Sequence, residues 1–302
     1  MDRFEDSSAI AGDPAALAAR LAKSGYLFFR GLLPVEAVNE AGRAVYSGLH
    51  SNGWIDAGGV PLPGRKALNS LDAREDPGFR AVKANPAFHR LAYLSPLRSL
   101  VRRLLGPQAF SYPVKVLRAS YPEVLPAVAR GRYVHQDYNV SCVQDMLTAW
   151  VPLMDIPLDL GGLAVLPQSH LGPPRPPKRL LVGEPGWATA DYAVGDVLLF
   201  HCLTSHAALP NRMNALRVST DFRFQPVEAV APHELIYGPS RRRHEMYTML
   251  LRRQPWWEPI PSAARTAPPG QRRLGPPLPS RFFQVHPAWA SWQPRERHRP
   301  VH

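Results

Sequence analysis

The spacing of hydrophobic positions changes near residue 110, and the change splits the 302-residue chain into two differently built parts. Before it, apolar residues recur every three or four positions, the period of a helix with one buried face. Asp13-Pro14 ahead of "AALAARLAKSG" supplies an N-cap, a proline at N1 and a closing glycine, predicting a helix over 14–24. "YLFFR" (26–30) reads as a buried strand, Pro34 to about His50 as a second helix, and "PLRSLVRRLLG" (96–106) as a third that Gly106 stops.

From about 110 the runs shorten and become rich in Val, Leu and aromatics, bounded by Gly, Pro and Asp: "FSYPVKVLRASY", "YVHQDYNV", "DMLTAWVPLMDI", "GLAVLPQSH", "GDVLLFHCLTSH" and "LRVSTDFRFQP". Successive short strands of this kind predict a sandwich or barrel, so the fold class is α+β, helices first and a β-core after. In the last of these runs Arg217, Ser219, Asp221, Arg223 and Gln225 share one strand face, and Val218, Thr220, Phe222 and Phe224 share the other.

Composition sharpens this picture in two places. Asp2, Glu5, Asp6 and Asp13 stand where a secretory leader needs a basic start and an apolar core, and no run reaches membrane-spanning length. With Cys142 and Cys202 as the two cysteines, the expectation is a soluble cytoplasmic protein without a disulfide framework. The formal net charge of +12 is unevenly placed: from Pro239 onward 12 Arg stand against 3 Glu, a net of +9, which leaves +3 for the rest. Residues 255–302 also hold 11 prolines, too many for sustained helix or sheet. The expected division is therefore a domain over 1–238, with its β-core at about 110–230, and an Arg/Pro-rich extension over 239–302 that wraps the domain or stays free. An arginine-rich nucleic-acid arm is the alternative for that extension, but no binding motif accompanies it.

The candidate chemistry starts at "HQD". On a strand His135 and Asp137 project to one side while Gln136 points away, which suits two ligands of one metal and equally suits a surface hydrogen bond. A non-haem Fe(II) facial triad needs a second histidine, and His170, His201 and His206 are available in the β-region. His206 is set apart by its downstream neighbour Arg217, eleven residues on, whose guanidinium is suited to a bidentate fork on a buried carboxylate.

Four segments in order, "GYLFFRGLLPVEAV" (25–38), "HQD" (135–137), "GGLAVLPQSH" (161–170) and "GDVLLFHCLTSHAALPN" (195–211) followed by Arg217, resemble the phytanoyl-CoA dioxygenase family of Fe(II)- and 2-oxoglutarate-dependent oxygenases. The resemblance covers about residues 14–230. It implies a double-stranded β-helix (jelly-roll, cupin-like) core flanked by N-terminal helices, with His135, Asp137 and His206 as iron ligands. It further implies Arg217 as the partner of the distal 2-oxoglutarate carboxylate, Ser219 as a hydroxyl on the same carboxylate, and Trp150 in the cosubstrate pocket. Similar proteins carry a small hydroxyl residue soon after the distal histidine. Ala207 and Ala208 stand there instead, which turns attention to Lys115 or Arg118 on "VKVLRASY" as helpers for the cosubstrate.

The implied cofactors are Fe(II), 2-oxoglutarate and O2, and the implied reaction is hydroxylation of a small molecule with release of succinate and CO2. Asp137 fills the position that is small in similar halogenating enzymes, which favours hydroxylation over halogenation. For the substrate, Tyr138, Asn139 and Gln144 are candidates at the pocket mouth, and the 171–194 segment with Trp187 is a candidate cover. Bacterial secondary metabolism is the expected setting, with an acyl-CoA or lipid hydroxylase and a non-catalytic ligand-binding module as alternatives.

Overall fold

Local chemistry closes the first helix at both ends. In α1 (Pro14–Ser24) the Asp13 carboxylate accepts the Ala15 and Ala16 N–H groups at 2.9 and 3.0 Å, and Gly25 ends the helix at φ 80°. That conformation favours glycine, and a Cβ at Gly25 would also collide with the His170 ring. Helix α2 (Val35–Ser51) buries Val38, Ala41, Val45 and Leu49 along one stripe. After the short helices α3 (Pro77–Ala84) and α4 (Pro86–Arg90), α5 (Ser95–Leu105) buries Leu97, Leu100, Val101 and Leu104 before Gly106. The three long helices thus lie within one residue of their expected ends.

The computed structural model describes residues 1–62, 77–113, 115–123, 132–180, 185–237 and 253–268, together with Ser280 and Phe282. Its strands are β1 (Asp2–Arg3), β2 (Tyr26–Phe29), β3 (Phe110–Ser111), β4 (Val116–Ser120), β5 (Arg132–Val134), β6 (Leu147–Pro152) and β7 (Leu163–Val165). They continue with β8 (Lys178–Leu180), β9 (Ala188–Thr189), β10 (Val197–His201), β11 (His206–Ala208), β12 (Arg217–Gln225), β13 (Val230–Ala231) and β14 (Arg265–Thr266). The larger sheet runs β2-β10-β6-β12-β3, with β4 also on β12, and the smaller runs β1-β9-β7-β11. A ribbon of β5 and β8 is joined to the smaller sheet by an antiparallel bridge between His135 and His206.

Every strand at the centre of the larger sheet is buried on both faces. Leu27, Phe29, Leu147, Ala149, Leu199, Val218 and Phe222 pack outward against the helices. Tyr26, Phe28, Trp150, Leu198 and Phe200 pack inward against Leu163, Val165 and Ala188 of the smaller sheet. The architecture is a jelly-roll with its helices on the outer face of the larger sheet, the α+β arrangement expected.

The same alternation decides the fate of the lysine beside β4. Lys115 shares its parity with Leu117 and Ala119, so it faces the helices and is fully buried. Its ammonium donates to the Tyr112 carbonyl and Ser111 Oγ and lies 4.9 Å from the Tyr93 ring centroid. Burial pushes its pKa from 10.5 down to about 7. The expectation that Lys115 helps hold a cosubstrate is corrected: strand parity turns it away from the inter-sheet space.

Part of the C-terminal segment lies on the domain. Trp256 and Trp257 pack against the helix-side core, Glu258 pairs with Arg98 and Arg102, and β14 pairs in parallel with β13. Beyond residue 268 all but Ser280 and Phe282 lie outside the described residues, and so does most of the segment considered as a nucleic-acid arm. No helix among the described residues is long and apolar enough to cross a membrane.

Two measurements check this packing. Phe222→Ala empties a site with no solvent exposure at the helix–sheet contact and is expected to lower stability by roughly 3–5 kcal/mol in urea denaturation. For Lys115 the unfolded chain binds the proton more tightly than the fold does, so its contribution to stability rises as pH climbs from about 7 towards 10.5. Against a Lys115→Met variant, the wild type is expected to gain ground across that window; a pH-independent difference would contradict the buried-ammonium account.

Candidate metal centre and its cavity

Two backbone hydrogen bonds bring the distant histidines together. His135 N–H donates to the His206 carbonyl at 3.1 Å, and His206 N–H returns a bond to the His135 carbonyl at 3.0 Å. The imidazole centroids stand 4.2 Å apart, and Asp137 Oδ1 lies 3.9 Å from Nε2 of each. All three ligand atoms fall within 4.8 Å of one another, the spacing a single ion needs.

The route to Asp137 differs from the expected strand. Pairing stops at His135, and Asp137 adopts helical angles (φ −60°, ψ −25°) as the cap of the short helix α6 (Tyr138–Ser141). Gln136 explains the departure. Its amide donates to the Leu203 carbonyl at 2.6 Å and its carbonyl oxygen accepts Arg175 N–H at 2.7 Å, turning the chain off the ribbon. His135 and Asp137 still converge, by a turn instead of by strand alternation.

The electrostatics suit a cation. Burial pushes the His135 pKa down to about 3 and lowers that of His206, so both imidazoles are neutral near pH 7. His206 Nδ1 lies 2.9 Å from the Thr204 carbonyl, an acceptor that fixes the proton on Nδ1 and leaves the Nε2 lone pair facing inward. Burial favours the neutral acid at Asp137, but the Arg223 guanidinium and the Thr148 hydroxyl outweigh it and hold the carboxyl well below the usual range. Arg223 contacts both carboxylate oxygens at 3.1 and 3.2 Å, and Thr148 Oγ donates to Oδ2 at 2.6 Å.

Beside the triad opens a cavity of about 290 Å³ lined by His135, His206, Trp150, Phe200, Leu163 and Arg217, with Arg118, Asp221, Tyr133 and Ala208 completing the wall. Arg217 donates through one terminal nitrogen to the Gly161 carbonyl, and its Nε has no partner among the described residues. Burial lowers its pKa to about 10, so it stays charged near neutrality. Trp150 Nε1 and Ser219 Oγ are likewise buried without a partner among the described residues. Ser219 is not on the cavity wall, but the two unpaired donors that are, Arg217 Nε and Trp150 Nε1, fit a small oxygen-bearing ligand far better than an apolar one.

Several sequence candidates sit elsewhere. His170 Nε2 bonds the Ala22 carbonyl at 2.9 Å, and His201 Nε2 faces Asp145 at 3.4 Å, so neither histidine joins the triad. Tyr138 is buried among Phe110, Tyr112, Cys202 and Leu203, which raises its phenol pKa, and Asn139 donates to the Arg175 carbonyl. Tyr138, Asn139 and Gln144 are absent from the cavity wall, which corrects their placement at the mouth. The described part of 171–194 builds β8 and β9, Trp187 packs with Val134, Ala164 and Ala207, and none of the described residues of this segment lines the cavity, which corrects their placement as its cover. Motif and spacing do not single out Tyr133 or Thr148, nor do they assign a role to Asp221 or Arg223. Strand parity with Trp150 and Arg217 is the signal that could have found the last three.

Comparison with known proteins agrees with the geometry. The family model of phytanoyl-CoA dioxygenase (PhyH) matches residues 21–219. The 1-deoxypentalenic acid 11-beta-hydroxylase of Streptomyces arenae is 25% identical over 254 residues, covering 75% of this chain and 86% of its own. Among solved structures, the epimerase SnoN in complex with Fe3+, alpha ketoglutarate and nogalamycin RO (23% identity, 72% and 87% of the two chains, TM-score 0.51) shares the fold. So does the non-heme monooxygenase ThoJ in its Ni complex (17% identity, 70% and 78%, TM-score 0.52). The chain therefore belongs to the phytanoyl-CoA dioxygenase family of Fe(II)- and 2-oxoglutarate-dependent oxygenases.

Proposed function

We propose that this oxygenase hydroxylates an unactivated C–H bond of a small molecule in bacterial natural-product biosynthesis. His135, Asp137 and His206 hold the iron, and Arg217 anchors 2-oxoglutarate. The observation that carries the reading is one cavity onto which two neutral Nε2 atoms, one carboxylate and the unpaired donors of Arg217 and Trp150 converge. When bound, iron and 2-oxoglutarate supply the oxidising chemistry, with succinate and CO2 as by-products.

The chain's own residues bind, orient and exclude water. Arg217, on the cavity wall with Nε unpaired, meets the distal carboxylate in a charged contact that fixes the long axis of the cosubstrate. Trp150 and Phe200 supply apolar walls, and Trp150 Nε1 offers one directed donor. Asp137 occupies the third ligand position, which favours oxygen insertion over halogenation. The setting is supported by the 25% identical relative, whose name describes 11-beta hydroxylation of 1-deoxypentalenic acid. The complex of SnoN with alpha ketoglutarate and nogalamycin RO supports a small-molecule substrate in the same fold.

The test is 2-oxoglutarate-dependent succinate release with Fe(II). His135→Ala and Asp137→Ala are expected to abolish it and to remove the thermal stabilisation that Mn(II) plus 2-oxoglutarate gives the wild type. An absence of any such stabilisation in the wild type sinks the proposal. Arg217→Met is expected to keep metal binding while weakening 2-oxoglutarate roughly ten- to hundredfold, the loss of one charge-assisted contact.

A further inference from the structure

Asp137 can give a metal less than a carboxylate normally offers. An ionised carboxylate has about four acceptor sites on its two oxygens. Three are already taken: Oδ2 accepts Thr148 Oγ at 2.6 Å and Arg223 Nε at 3.2 Å, and Oδ1 accepts Arg223 Nη2 at 3.1 Å. Both sites of Oδ2 are filled. The remaining site belongs to Oδ1, the oxygen 3.9 Å from each histidine Nε2.

We propose that Arg223 is a positioning residue that restricts Asp137 to one-oxygen coordination and thereby reserves a coordination place at the metal. This rests on the iron reading above. A facial triad is useful because three protein bonds leave three positions open, two for a bidentate cosubstrate and one more. A carboxylate free to chelate through both oxygens closes that last position. The fork matters more than the charge here, because a guanidinium covers one oxygen edge-on and also touches the second, which a point charge on a flexible stem cannot do. Strand pairing suits Arg223 to this role. It projects from the inner face of β12 directly opposite Thr148 on β6, so two neighbouring strands fix both donors at once. Its role is separate from that of Arg217, six residues earlier on the same face, whose Nε remains unpaired.

The experiment uses Co(II) as the metal and azide as a small probe of the reserved position, read by visible absorption of the intact protein. In the wild type, 2-oxoglutarate is expected to shift the Co(II) bands and azide to shift them again. In Arg223→Met both Co(II) and 2-oxoglutarate still register, but azide affinity falls by about tenfold or more, the usual scale for loss of a group that orients a ligand. Arg223→Lys keeps the cation without the fork and is expected to resemble Arg223→Met; it carries the test if the methionine variant does not fold. Wild-type azide affinity in either variant overturns the proposal, because the freed oxygen has then not closed the position or charge alone has sufficed. A merely structural role would lower thermal stability and leave azide affinity in place. If the wild type itself shows no response to Co(II) or 2-oxoglutarate, the iron reading fails first and takes this inference with it.

Discussion

A carboxylate only 2% exposed sits between two neutral imidazoles at Asp137, and a buried charge of that kind persists only when its surroundings compensate it. The compensation comes from a pair of residues on neighbouring strands. Arg223 on β12 lies directly opposite Thr148 on β6, and both reach the same carboxylate. That requirement fixes the strand register. A slip of one residue would send Arg223 towards the helices and bring Phe222 or Phe224 inward, leaving Asp137 uncompensated. The register that satisfies Asp137 also sets Asp221 opposite Trp150 and brings Arg217 and Ser219 to the inner face.

Such a register is tolerated because the other face of β12 packs into an apolar core. Val218, Phe222 and Phe224 belong to the helix-side core, which also takes in Leu17, Val38, Val45 and Leu100 from three helices. The helices therefore do more than cover the sheet: they clamp one face of β12 so that its opposite face can carry two arginines, a serine and an aspartate. On the inner side the smaller sheet contributes His206 through β11, and the bridge to His135 closes the two halves of the triad together. Function here depends on the sandwich being asymmetric, dry and apolar at one end and polar around the cavity.

Much of this is legible in the sequence where periodicity governs. Capping residues place α1 to the residue, and alternation along 216–226 separates Arg217, Ser219, Asp221 and Arg223 from Val218, Phe222 and Phe224. Geometry set by side chains from distant segments is not legible in the same way. The turn at Gln136 depends on Leu203 and on the Arg175 backbone, neither of which local sequence can announce. Lys115 is a failure of a different kind. Leu117 and Ala119 share its parity and are apolar, so alternation alone assigns Lys115 to the helix side and Arg118 to the cavity. The position of a cation on its strand outranks its chemistry as a guide to what it can touch.

The two arginines on the cavity wall are not equivalent, and the difference decides which meets an anion. Arg118 commits Nε and a terminal nitrogen to Asp221 Oδ2, at 2.6 and 2.5 Å, so its charge is largely answered within the protein. Arg217 hydrogen-bonds a neutral carbonyl at Gly161 and keeps Nε unpaired, so its charge remains to be answered by something that enters. The alanines after His206 fit this division. Ala207 packs outward with Val134 and Trp187, while Ala208 lines the cavity without a polar atom in its side chain. Ser219, whose buried oxygen lacks a partner among the described residues, lies on the same strand face as Arg217 but not on the cavity wall. An anion entering the cavity would meet a full positive charge at Arg217 and an indole N–H at Trp150, both held by strands whose register Asp137 already dictates.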